Sequence, residues 1–301
     1  MTQDKQLFND DKIGLDAARQ MENLAKKYCS SKQFKESVMK NKLNACDCQW
    51  YHVAWGYCRF LNLIPSPDIH AEYFQQFFHR NWNRKEINVL ISGTADFTIL
   101  DHIICNLPSN LYDKVKFTVL DLCLTPLKIC DWYHEKRVQL GEKKLNIVCV
   151  QGDAKHINLS SEKFDLITTY SFLSRFDGES QREIVAEWYR MLKVGGEIIT
   201  SDRITAEYAS GFFQTAKIQQ DRFIERAEER LSVVSDLKED KKIEILELIK
   251  NYICNIESFS FPTTSSFCSL FDKFICDMDV KEVPGESDPT ETYIILRALK
   301  I

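Results

Sequence analysis

From residue 87 to residue 203 the chain alternates short apolar, β-branched runs with helix-length segments, and few architectures accept that pattern. Runs at 88–92, 116–122, 145–150, 164–169 and 197–201 read as strands, with helical segments at 97–107, 126–140 and 179–192 between them. Such an alternation implies a parallel sheet wound in both directions, because each right-handed crossover helix must cover one sheet face. Two later runs, 279–283 and 291–299, joined across 285–289, add an antiparallel hairpin at the sheet edge. The expected fold is therefore α/β: doubly wound, mostly parallel and seven-stranded, with an antiparallel edge hairpin.

Helical patterning flanks this core. Ala17, Met21, Leu24, Ala25 and Tyr28 recur at three- and four-residue intervals within a predicted helix over 16–39. Trp50, Ala54, Tyr57, Cys58 and Leu61 repeat the pattern until Pro65 and Pro67 end it, and 69–82 starts another helix. Residues 1–85 thus read as an N-terminal helical cap on a domain spanning 86–301. Within that domain, 206–231 and 237–256 read as charged helices separated by a Ser235-Asp236 cap, making 204–258 a helical insertion before the last two strands. Their alternating charge suits a solvated lid or a homodimer surface. A further helix is expected over 261–274.

Composition removes several functions. With 301 residues, 44% hydrophobic and 28% charged, the chain can bury a full core, and its formal charge of −5 argues against nucleic-acid binding, which needs dense Lys/Arg surfaces. No apolar run approaches the roughly 20 residues that span a bilayer, and the polar start Met1 to Gln6 lacks a secretory pattern, so no membrane partner and a cytoplasmic address are expected. The eleven cysteines are odd in number and scattered, which suits reduced thiols. The close pair Cys46 and Cys48 lacks the two-residue spacing that zinc prefers, so no metal is expected.

In an open α/β sheet, ligands bind beyond the carboxyl ends of the strands. The first strand ends in Ser92-Gly93-Thr94-Ala95-Asp96, small residues whose backbone can approach a ligand, Gly93 most closely. The second ends in Asp121-Leu122, where a carboxylate can accept both hydrogen bonds of a ribose diol. The third runs into Gly152-Asp153-Ala154, with an acid for an exocyclic amine and room for a ring. The fourth leads to Tyr170-Ser171-Phe172, facing the reacting end of the site. Leu192-Lys193-Val194-Gly195-Gly196 reads as a helix stop with glycine in the left-handed position.

This order resembles class I, Rossmann-like S-adenosylmethionine-dependent methyltransferases, over about residues 87–203. Within it, 91–97 and 121–126 resemble a bacterial subgroup that is uncharacterised or of natural-product type. The resemblance implies that the loop after the first strand holds the methionine moiety, Asp121 the ribose, and Gly152-Asp153-Ala154 the adenine. The implied cofactor is S-adenosylmethionine, and the implied contacts are Ser92, Gly93, Thr94, Asp96, Asp121, Leu122, Gly152, Asp153, Ala154, Tyr170, Ser171 and Phe172. The chain departs from the family at its first motif. An acid two residues before the first glycine and glycines at alternate positions are usual there, whereas this chain has Ile91, Ala95 and Phe97. Asp121 also stands 28 residues after Gly93, against about 20 in dinucleotide sites.

The resemblance implies methyl transfer to an N, O or S atom, and the cap and insertion favour a small-molecule acceptor. No catalytic residue is fixed; His52, Tyr51, Tyr170, Arg175 and Arg203 are candidates, the arginines for an acceptor carboxylate. Each has a structural alternative: His52 and Tyr51 as cap packing, the arginines as partners of surface acids, Asp121 as a helix cap. Asp165, at a strand start on the side away from the ligand, reads as structural. Two other functions share the pattern. A nicotinamide-dependent oxidoreductase would want the three-glycine loop missing here, and a non-catalytic methyltransferase-like scaffold would tolerate the altered loop.

Overall fold

The computed structural model describes residues 11–29, 48–271, 277–285 and 290–301. Its sheet strands are β1 (Ile87–Ser92), β2 (Val115–Asp121), β3 (Asn146–Gln151), β4 (Phe164–Tyr170), β5 (Leu192–Ile204), β8 (Asp277–Pro284) and β9 (Thr292–Leu299). A separate pair is β6 (Phe212–Gln214) and β7 (Glu257–Phe259). The main sheet is seven-stranded, in the order β3-β2-β1-β4-β5-β9-β8. β3 through β5 run parallel, and β9 inserts antiparallel between β5 and the edge strand β8.

Strand β1 is central and buried on both faces, which is why Val89-Leu90-Ile91 run apolar in succession instead of alternating. Its side chains still divide by the two-residue period. Val89 and Ile91 join one core with Phe74, Phe77, Ile103 and Tyr133, while Leu90 joins the other with Ile167, Trp188 and Phe267. The first core is covered by α3 (Ala71–Arg80), α4 (Thr98–Cys105) and α5 (Leu124–Gln139), the second by α6 (Gly178–Met191) and α9 (Thr264–Cys268). The carboxylate of Asp177 caps α6 by accepting from Glu179 and Ser180 amides.

A third core joins regions far apart in sequence. Helices α1 (Asp11–Tyr28) and α2 (Gln49–Phe60) pack against α7 (Lys217–Ser232) and α8 (Glu239–Asn255) through Ala18, Tyr57, Cys58, Phe223, Ile245 and Ile249. The N-terminal helices and the insertion thus meet over the carboxyl end of the sheet.

Several boundaries differ from sequence expectation. Residues 206–216 are not helical: Ser210 and Gly211 break the pattern, and Phe212–Gln214 pairs with Glu257–Phe259 as β6 and β7. The cap of α8 is Lys238 without a side-chain bond, so Ser235-Asp236 lies ahead of the helix. Gly195 does take a left-handed φ of 74°, but α6 already ends at Met191 with Leu192 extended, and Gly195 donates its amide to Lys300 in a strand-edge turn. The helix expected over 261–274 is Thr264–Cys268 among the described residues; 272–274, the 30–39 end of the first helix, most of the 285–289 turn, and Cys46 lie outside them.

Candidate cofactor and acceptor site

A cavity of about 550 Å³ opens where the β1, β2 and β4 ends meet α2 and the end of α8. That size is typical of small-molecule sites. Its floor is Gly93, Thr94, Ala95 and Asp96; Asp121, Leu122 and Cys123 form one wall, and Tyr170, Ser171, Phe172 and Arg175 another. Trp50, Tyr51, His52, Trp55 and Arg59 of α2 and Asn255–Glu257 after α8 form the roof.

Asp121 projects from the end of β2, and its two carboxylate oxygens accept the Thr94 amide (3.0 Å) and the Cys123 amide (2.7 Å). Burial pushes its pKa up to about 7, although the Cys123 and Thr94 amides pull the other way. Each oxygen keeps a lone pair for a further donor.

Asp96 is differently placed. Its carboxylate accepts from Trp55 Nε1 (2.7 Å), Arg59 Nε (3.1 Å) and the Thr98 amide (2.7 Å). Burial opposes its ionisation, but Arg59, Thr98 and Trp55 outweigh that and hold it below the ordinary carboxylate range. Asp96 thus fastens α2 to the loop after β1.

Gly93 has φ 76°, and a Cβ there would fall 2.2 Å from the Phe172 ring. Only glycine lets that ring lie on the loop. Ser171, beside it, is held in the left-handed region at φ 48° with its amide on the Ser201 carbonyl. Strain of this kind concentrates at functional turns.

Other expected contacts fall elsewhere. Ser92 is fully buried and accepts the Trp188 indole N–H at 2.9 Å, outside the cavity lining. Gly152 donates its amide to the Asp121 carbonyl, and the Asp153 carboxylate accepts the Lys155 amide; neither they nor Ala154 line the cavity. Asp165 is buried and receives Arg84, Lys193 and the Asn88 amide.

A second cavity of about 140 Å³ shares Trp55, Tyr170, Ser171 and Arg175 with the first and continues to Asp202, Arg203, Tyr252 and Tyr293. Arg203 pairs with Glu291, whereas Arg175, which donates to the Glu257 carbonyl, has no carboxylate within ion-pair distance among the described residues. Tyr51 stacks on Trp55, and burial pushes its hydroxyl up to about 12.

Sequence reading did not anticipate a group of thiols on the cavity wall. Cys123 Sγ lies 3.7 Å from Cys29 Sγ and 3.8 Å from Cys48 Sγ, with His52 beside them. Mutual contact and burial push the Cys48 thiol far above its usual value. Residues from three separate elements meet here, so no spacing pattern announces them.

A model of the methyltransferase-domain family matches residues 102–200, from α4 through β5, including Asp121 and the β4 end. Residues 102–200 are thus similar to a methyltransferase domain. No curated protein matches the chain by sequence. Among solved structures, a 1,6-didemethyltoxoflavin N1-methyltransferase from Burkholderia thailandensis is similar at 12% identity, TM-score 0.48, covering 76% of this chain and 77% of its own. The N-methyltransferase NodS of Bradyrhizobium japonicum is similar at 13% identity, TM-score 0.42, covering 78% and 88%. A Methanosarcina mazei S-adenosylmethionine-dependent methyltransferase is similar at 13%, TM-score 0.45, covering 74% and 97%. No helix among the described residues is long and apolar enough to cross a membrane.

Proposed function

We propose that this enzyme methylates an N, O or S atom of a small, anionic acceptor held between the two cavities. The observation that carries the reading is the roofing of the site: α2 and 255–257 lie over the β1, β2 and β4 ends, leaving a partly covered cleft of about 550 Å³ that shares Arg175 with the smaller one. A folded protein surface or a duplex does not enter such a space.

The residues fit the cofactor. Asp121 offers two desolvated oxygens to a ribose diol, Thr94 and Leu122 flank it, and the Phe172 ring on Gly93 forms an apolar floor. When bound, the sulfonium supplies an electrophilic methyl group. The chain's own part is orientation and exclusion of water. Arg175 orients an acceptor carboxylate, and Trp55 and Tyr51 stack over the acceptor body. In this reading residues 1–85 and 204–258 act as cap and lid on the 86–301 domain.

Calorimetry with S-adenosylmethionine and S-adenosylhomocysteine should show saturable binding that Asp121→Ala removes. Incubation with labelled cofactor and fractionated small-molecule extracts should then label an acidic low-mass product. Label appearing only in protein or nucleic acid would overturn the acceptor assignment.

A further inference from the structure

The thiols of Cys29, Cys48 and Cys123 and one ring nitrogen of His52 all lie within 4.8 Å of one another. A tetrahedral zinc ion with Zn–S bonds of about 2.3 Å has sulfur–sulfur edges of about 3.8 Å. The two measured edges, 3.7 and 3.8 Å, match that geometry and are far from the roughly 2.05 Å of a disulfide. His52 is 5% exposed, and its Nδ1 is buried without a hydrogen-bond partner. A buried imidazole nitrogen lacking a partner is costly unless something else satisfies it.

Further contacts hold the sulfurs in place. Cys123 is the N-cap of α5, where the helix end favours negative charge, and its sulfur accepts the Thr125 amide at 3.4 Å. Thr125 Oγ1 lies 3.1 Å from Cys29 Sγ, an outer contact that orients a ligand. Cys48 and His52 stand four residues apart at the start of α2, on one side of the helix.

We infer that Cys29, Cys48, His52 and Cys123 form a Cys3His site for Zn²⁺. Coordination takes the thiols as thiolates and releases their protons to water, up to about three per ion, while His52 binds as neutral imidazole. The ligands come from the end of α1, the start of α2 and the cap of α5, so the ion fastens the helical cap to the sheet beside the cavity. This assignment does not depend on the acceptor or on methyl transfer.

Two measurements test it. Untagged, reduced protein passed through metal-free buffer should retain about one zinc per chain by elemental analysis. Cys48→Ser, Cys123→Ser and His52→Ala should each weaken zinc by about tenfold or more, while Cys149→Ser, on β3, should leave it unchanged. Because a substitution could unfold the cap, the stripped wild-type chain is also titrated with Co²⁺, and thiolate-to-cobalt charge-transfer and tetrahedral d–d bands saturating at one equivalent are expected. Zinc-free protein whose cobalt spectrum stays octahedral would overturn the site, as would zinc retention indifferent to all three ligand substitutions.

Discussion

Replacing Gly93 by alanine probes the floor of the cavity. Two costs arise, and they can be separated. The backbone φ of 76° places any L-residue in the left-handed region, worth roughly 1–2 kcal/mol. The added Cβ would also stand 2.2, 2.3 and 2.6 Å from three atoms of the Phe172 ring, so that ring must be displaced, at roughly 1–3 kcal/mol for overpacking. Gly93→Ala should therefore lower unfolding stability by about 2–5 kcal/mol. In a Phe172→Ala background the clash is gone and only the backbone part remains, so the same substitution should cost about 1–2 kcal/mol. Urea unfolding of wild type, both single variants and the double variant gives the coupling directly. Effects that add to within about 0.5 kcal/mol would refute the placement of the ring on Gly93. A Gly93→Ala cost below about 1 kcal/mol would refute the left-handed backbone as well.

Burial raises the Asp121 pKa from the ordinary 3.8 to about 7, so the ionised form proposed to accept ribose hydroxyls is lost below neutrality. S-adenosylmethionine affinity should fall about tenfold per pH unit below 7, and in Asp121→Asn should be weak and flat with pH; equal wild-type affinities at about pH 6 and 8 would contradict this. Because the folded pKa is the higher one, this group's contribution to ligand-free stability is full below about pH 4 and is lost as pH rises through about 7, so Asp121→Asn should gain stability relative to wild type on going from acid to pH 8 in thermal melts. Arg137, 2% exposed, bonds Asp101 at 2.6 Å, so Arg137→Met strands a buried carboxyl and should cost about 3–5 kcal/mol in denaturant unfolding, largely restored by adding Asp101→Leu. Arg175→Met should raise KM for an anionic acceptor while leaving cofactor affinity unchanged; a matched loss of both would place Arg175 on the cofactor instead.

How far the sequence carried the reading depended on whether the determining contacts were local. Most of the seven main strands were legible because they contain apolar, β-branched runs set between helix-length segments, and Asp121 was legible because its position follows from the end of one such run. The stretch at 206–216 was not: Tyr208, Phe212 and Phe213 suit a helix or a strand equally, and the choice is made by pairing with Glu257–Phe259, over forty residues away. Asp96 read as one of the implied cofactor contacts. Its partners, Trp55 and Arg59, come from a helix whose position depends on packing of α1, α2, α7 and α8 that no local pattern encodes.

The same dependence joins the cofactor grip to the placement of the cap. The Asp121 carboxylate holds the Thr94 amide on one side and the Cys123 amide on the other, and the Cys123 sulfur lies against Cys29 and Cys48 of the cap. A shift of α1 or α2 that moves Cys123 therefore alters the Asp121 oxygen proposed to meet the ribose. On the other side of the cavity, Asp96 ties α2 to the β1 loop that carries Gly93. Helices α1 and α2 are thus fastened at both ends of the loop-and-acid pair proposed to hold the cofactor, so loosening them should weaken cofactor binding before it unfolds the sheet.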